Sequence, residues 1–286
     1  MRIADKSIEE VEELVKTALD CGINFFDHAD IYGGGKSEEL FGQVLEKHPE
    51  YREKMIIQTK CAIVPGKRYD FSKEYIINAV NGSLKRLHTD HVEILLLHRP
   101  DALCDPQEVA EAFDELYVSG KVKYFGVSNH TPGQIALLQK YTKHPIIINQ
   151  LQLSIVHSVM IDSGMNMNMK EDFAIDKDGG VLDYCRLNDI TIQAWSIVQA
   201  SWAEGTFLNH PDYKKLNNVL DDLAKKYNVT PATIATAWIL RHPAHIQAIT
   251  GTTSPKHLIE TAEAANIELT RQEWYDLYLA SDKPLP

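Results

Sequence analysis

The sequence predicts an α/β fold built as a (β/α)8 TIM barrel, and three observations predict it. Short apolar runs alternate with amphipathic helical stretches along the whole chain, which is the pattern of a parallel sheet covered on both faces. No strand is followed by GxGxxG and there is no GxxxxGK[ST], so a doubly wound nucleotide-binding sheet lacks its signatures. The 286 residues fit one large barrel, and residues 1–286 are read as a single domain.

The first helix opens on a capping box of Ser7 with Glu10. It carries Ile8, Val11, Leu14, Val15 and Leu19 on one face, and Gly22 stands where its C-cap is expected. The run Ile23 to Asp27 follows as a buried strand. Further strands are expected at Met55 to Lys60, Val92 to His98, Tyr124 to Ser128, Ile146 to Gln150, Ile190 to Trp195 and Ile246 to Thr250. Helical stretches fall near 38–47, 72–87, 107–118, 131–142, 180–188 and 214–241. One of them is bounded by chemistry as well as by period. Asp105, Pro106 and Glu108 supply a cap, a first-turn proline and an N3 acid, and Gly120 closes that helix. Residues 160–180 show no clear period and read as a long loop over one barrel end, where substrate contacts are often carried.

Composition narrows the function. A net charge of -11 opposes a nucleic-acid or anionic-membrane partner, because both need a cationic footprint. The N-terminus carries no apolar signal region and no apolar run approaches a membrane span, so a cytoplasmic protein is expected, monomeric or weakly homo-oligomeric. Cys21, Cys61, Cys104 and Cys185 lack CxxC pairing and read as thiols, with neither a metal site nor a disulfide framework indicated.

Polar residues at the C-terminal ends of barrel strands face the active site. Asp27, Lys60, His98, Ser128 with Asn129, and Gln150 each close an otherwise apolar run. Taken singly, Asp27, Lys60 or His98 reads equally as part of an ion-pair network at the barrel rim. Together with Tyr32 they read as a catalytic set. The stretch Phe26 to Gly33 resembles the aldo-keto reductase signature, in which an Asp is followed five residues later by the catalytic Tyr. Thr59-Lys60, Leu97 to Asp101, Gly126 to Asn129, Asn149-Gln150, Ala194 to Ser196 and Gly251 to Thr253 match the later elements in order. Leu269 to Trp274 is similar to the ending of a bacterial oxidoreductase branch.

The resemblance implies NADP-dependent reduction of a small-molecule carbonyl compound, with NAD as a second possible cofactor. Tyr32 would donate the proton and Lys60, charged and held by Asp27, would favour the ionised phenol. His98 would place the substrate oxygen. Ser128, Asn129 and Gln150 would bind the carboxamide and Trp195 would stack on the nicotinamide ring. Ser196, Gly251, Thr252, Thr253, Lys256 and His257 would face the phosphates and adenosine half, and only Lys256 and His257 there supply charge. His28, Asp30 and His130 read as hydrogen-bonding neighbours of this set, and Lys225 with Lys226 as a solvated helix face. Two other functions compete. A strand-end lysine such as Lys60 also suits a Schiff-base lyase, and some barrels of this family act as cofactor-binding redox sensors or scaffolds with little turnover. The family places a hairpin and a strand before the first helix, whereas this chain starts almost at that helix. The resemblance therefore implies that the N-terminal hairpin and first strand, about 20–25 residues at ordinary strand lengths, are lacking, with a gap or irregular pairing between the first and last visible strands.

Overall fold

The computed structural model describes residues 1–170, 172–201 and 203–285. Contacts divide the chain into two compact units, one of residues 1–149 with 253–255 and one of residues 150–252 with 256–286.

In the first unit, helix and strand alternate five times. The pairs are α1 (Ile8–Asp20) and β1 (Phe25–Asp27), α2 (Lys36–Lys47) and β2 (Ile56–Cys61), and α3 (Lys73–Arg86) and β3 (Val92–Leu97). Then come α4 (Pro106–Val118) with β4 (Val122–Ser128), and α5 (Pro132–Tyr141) with β5 (Ile146–Gln152), which this unit holds as far as Asn149. Neighbours in the sheet follow chain order. Pairing is parallel, with Asp27 opposite Gln58, Lys60 opposite Leu96 and Leu97 opposite Val127. Every strand therefore ends on the same edge of the sheet.

Local chemistry explains the elements. The Ser7–Glu10 capping box forms, and α1 buries Val11, Leu14, Val15 and Ala18, each larger aliphatic group contributing about 1.5–3 kcal/mol. Asp105 accepts from the Gln107 amide, Pro106 opens α4, and Val109, Ala112, Phe113 and Leu116 are its buried face. On the sheet, Ile94, Leu96 and Ile148 form a core cluster, with Phe25, Ile56 and Ile147 packed on it. Gly126 makes the approach of β4 to this cluster possible. A Cβ there would stand 2.6 Å from Leu96 Cδ2 and 2.8 Å from the Ile148 carbonyl oxygen.

Among the described residues no strand precedes α1. Residues 1–6 run as turns against β1 and α2. The Met1 ammonium donates to the Asp27 carbonyl, and the amide of buried Ile3 donates to Ser37 Oγ at 3.3 Å.

The second unit holds the end of β5, α6 (Val159–Met165), α7 (Val181–Leu187), β6 (Thr191–Trp195), α8 (Lys214–Tyr227), α9 (Pro231–Leu240), β7 (Gln247–Ala248), most of α10 (Pro255–Ala262) and α11 (Arg271–Ala280). β7 pairs parallel with β6, Gln247 opposite Gln193. Two expectations are corrected here. The helical stretch 214–241 is two helices, because Asn228 turns left-handed at φ 55° and Thr230 caps a new helix that begins at Pro231. Residues 160–180 include α6 as well as loop. Lys225 and Lys226 lie on an exposed helix face as expected, and the Lys226 ammonium meets Glu273 there at 2.5 Å. α9 and α11 are joined by a reciprocal pair. The indoles of Trp238 and Trp274 stack at 4.7 Å, and each donates to the other's carbonyl, at 3.1 and 3.0 Å.

Candidate active site

Asp27 closes β1, Lys60 is the penultimate residue of β2, and His98 follows β3, so parallel register brings all three to one edge. Backbone bonds complete the alignment. The amide of His28 donates to Gln58 O at 2.8 Å, Asp30 to Lys60 O at 3.0 Å, and His98 to Cys61 O at 2.9 Å. Tyr32 rides a turn that only glycines make easily, since Gly33, Gly34 and Gly35 have φ of 60°, 66° and 96°, and a Cβ on Gly33 would collide with Ala4.

Lys60 is the hub. Its side chain is 0% exposed, and Nζ donates to Asp27 Oδ2 at 2.6 Å, His28 O at 2.8 Å and Tyr32 Oη at 3.3 Å. An ammonium has three donors, and all three are used. The Tyr32 ring meets the His98 ring edge-on at 5.8 Å.

Electrostatics follow from this geometry. Burial works against the Lys60 ammonium, but the charges of Asp27 and Tyr32 outweigh it and the group is held above the usual lysine range. Burial likewise opposes the Asp27 carboxylate, yet Lys60 and the bond from Gln58 Nε2 at 2.5 Å hold it below the ordinary range. Burial, reinforced by Lys60, pushes His98 down to about 3, so its imidazole is neutral at physiological pH. Burial, with the nearby Glu38 charge, raises the Asp30 carboxyl to about 7. A charged, fully bonded Lys60 is a poor amine nucleophile, which counts against Schiff-base chemistry.

The remaining candidates fall in both units. In the first, Ser128 ends β4 and Asn129 takes φ 60°, its amide donating to Ser128 Oγ at 2.7 Å. The segment after it is clamped. Asn149 Nδ2 donates to His130 O at 2.9 Å, and the His130 ring bonds Ser128 O at 3.0 Å. Thr253 belongs to this unit as well. In the second unit, Gln150 Nε2 donates to Gln193 Oε1 at 2.9 Å, and Gln193 passes the pattern on to Gln247 at 2.8 Å. Trp195 ends β6, and Ser196 has φ 57° with Oγ donating to Gln199 at 2.8 Å. Left-handed non-glycine residues at two strand ends are the kind of strain that functional sites retain. Gly251 and Thr252 precede α10, whose first turn exposes Lys256 and His257. Lys256 lies 3.8 Å from Glu260.

Sequence reasoning missed several supports. Gln58 shares the inward face of β2 with Lys60, and the two-residue period could have pointed to it. Glu38 is fully buried, accepting from Thr59 Oγ1 at 2.6 Å and from Arg86 at 2.8 Å, and thereby anchors β2 beside Lys60. Among the described residues no cluster of three or more His, Cys, Asp or Glu suits a metal, and no helix is long and apolar enough to cross a membrane.

A family model described as the aldo/keto reductase family matches residues 2–278. Oxidoreductase YdhF of Escherichia coli is 34% identical over 283 residues, covering 96% of this chain and 88% of its own. A 6-dehydroglucose reductase of Novosphingobium aromaticivorans is 36% identical over 281 residues, covering 95% and 86%. Among solved structures, the thermostable aldo-keto reductase Tm1743 in complex with the inhibitor epalrestat superposes with a TM-score of 0.76 at 27% identity, covering 96% of this chain and 88% of that one. An aldo-keto reductase from Klebsiella pneumoniae in complex with NADPH has a TM-score of 0.75 at 22% identity, covering 99% and 88%. The expected (β/α)8-barrel class is borne out by these likenesses of fold.

Proposed function

This chain belongs to the aldo/keto reductase family, and from that premise we propose that it reduces an aldehyde or ketone to an alcohol with NADPH as hydride donor and Tyr32 as proton donor. The observation that carries the reading is the Lys60 ammonium, bonded at once to Asp27 and to the phenol oxygen of Tyr32. Reducing a carbonyl builds negative charge on its oxygen, and a phenol beside that oxygen can neutralise it. Lys60 then stabilises the phenolate left behind, while Asp27 keeps Lys60 charged and oriented. Neutral His98, 5.8 Å from the Tyr32 ring, donates to the same substrate oxygen and fixes its position.

The residues present fit a nicotinamide cofactor. Ser128, Asn129 and Gln150 offer the hydroxyl and amide groups that a carboxamide needs, Trp195 offers a ring face, and Ser196 with Gly251, Thr252 and Thr253 offers small polar turns for phosphates. When bound, NADPH supplies the hydride. Lys256 and His257 supply the cationic groups for a 2′-phosphate, at the start of a helix whose N-terminus favours anions. The relative named 6-dehydroglucose reductase supports a carbonyl substrate.

Only these two residues supply charge here, and both are exposed, so each contact contributes roughly 0.2–1 kcal/mol. We expect tighter binding of NADPH than of NADH by about tenfold. Dissociation constants for both cofactors, measured alongside NADPH consumption over a panel of aldehydes and ketones, test both points. Equal constants remove the 2′-phosphate site. Tight NADPH binding with no turnover of any carbonyl favours the sensor function instead.

A further inference from the structure

The turn that carries Tyr32 rests on an arginine. Tyr32 is followed by three left-handed glycines, and the last of them, Gly35 at φ 96°, is also the N-cap of α2. Such a turn has no side chains of its own to hold it, and glycine leaves a backbone freer than any other residue does. Arg86, the last residue of α3, supplies the missing surface. A Cβ built on Gly35 would stand 2.9 Å from Arg86 Cδ and 3.1 Å from its Nε, and one on Gly82 would stand 3.1 Å from its Nη1. A Cβ on Gly42 would collide with the Arg86 carbonyl oxygen. Three glycines therefore make room for one arginine.

The guanidinium is fixed at its other edge. Nε donates to Glu38 Oε2 at 2.8 Å, Nη2 lies 2.8 Å from the same oxygen, and Nη2 also reaches Ser83 Oγ at 3.2 Å. The Glu38 side chain is 0% exposed, and its other oxygen accepts from Thr59 Oγ1 at 2.6 Å, next to Lys60 in β2. One ion pair thus joins the Tyr32 turn, the first turn of α2, the end of α3 and the strand that carries Lys60. Tyr32 Oη and Lys60 Nζ are 3.3 Å apart, long for a hydrogen bond, so a small displacement of the turn breaks their contact.

We propose that Arg86, paired with Glu38, is a positioning residue for proton transfer: it fixes the glycine turn and so sets where the Tyr32 phenol stands against Lys60 and the substrate. The inference rests on the carbonyl-reducing reading of Tyr32 and extends it to a pair that acts through that phenol. A pair that only held the fold together would change stability and rate in parallel, whereas a positioning pair separates them.

The full chain is tested as wild type, Arg86→Lys, Arg86→Gln and the double variant Glu38→Gln with Arg86→Gln, which leaves no buried carboxylate stranded. Urea unfolding, KM, the NADPH dissociation constant and the single-turnover rate of NADPH oxidation with an accepted aldehyde are measured for each. Arg86→Gln should lose both stability and rate. The double variant should regain stability, while its single-turnover rate stays about tenfold or more below wild type and KM and the NADPH dissociation constant stay within about twofold. Arg86→Lys keeps the charge but not the planar fork, and its rate should fall between the two. A double variant that recovers rate along with stability overturns the proposal, as does a loss that lies in KM alone. If wild type reduces no aldehyde, the carbonyl-reducing reading fails by itself, and a readout without turnover decides the positioning. With a ring-fluorinated tyrosine at position 32, the fluorine resonance should be one narrow line in the otherwise wild-type chain and shifted or broadened in the double variant. An identical line in both refutes the proposal.

Discussion

Tyr32→Phe should lower carbonyl reduction by about 10²-fold or more, the scale of a lost general acid, while the NADPH dissociation constant stays near the wild-type value. Only one hydroxyl is removed. The ring remains where Arg2 and His98 meet it, and Lys60 keeps its bonds to Asp27 and His28 when the one to Tyr32 is lost. The cofactor residues, from Ser128 to His257, lie elsewhere in the chain. Steady-state kinetics with a cofactor titration measure both quantities, and near-normal turnover in the variant would mean that another group supplies the proton.

Lys60→Met should be the most damaging single change to stability near the site. Lys60 is completely buried and Asp27 nearly so, with side-chain exposures of 0% and 11%. Removing the ammonium strips a buried carboxylate of its main counter-charge and leaves the His28 carbonyl unbonded on that side. Breaking a buried pair from one end costs about 3–5 kcal/mol. The double variant Asp27→Asn with Lys60→Met should recover part of that loss, because the stranded charge is gone. Urea unfolding of wild type, both single variants and the double variant gives the comparison. A Lys60→Met protein as stable as wild type would show that the pair does not hold the strand ends together.

The strand-end residues were legible because each interrupts an apolar run. Asp27 after Phe25-Phe26, Lys60 after Ile56-Ile57 and His98 after Leu95 to Leu97 have no reason to sit there unless something pairs with them. Caps were legible where their chemistry is local, as at Ser7–Glu10 and Asp105–Pro106. What stayed hidden depends on distant partners. Glu38 looks like an ordinary first-turn acid, and only Arg86, 48 positions on, accounts for its burial. Lys283 looks like a terminal surface lysine, yet it is buried against Ile155 and Ser158, and burial pushes its ammonium down to about 8. The break between α8 and α9 was present in Asn228 and Thr230-Pro231, but the apolar period running through both helices masks it. α6 is seven residues long, too short for a helical period to stand out.

On the proposed function, a hydride passes from the nicotinamide to a substrate carbonyl while this chain supplies the proton to oxygen. Single-turnover reduction of an accepted aldehyde with NADPH deuterated at C4, followed by mass spectrometry and NMR of the alcohol, tests it most directly. One deuterium is expected at the carbinol carbon for one of the two C4 labels. No carbon-bound deuterium is expected when unlabelled NADPH is used in heavy water. An alcohol that draws its carbon-bound hydrogen from solvent, or a borohydride-stable substrate adduct on Lys60, would contradict it.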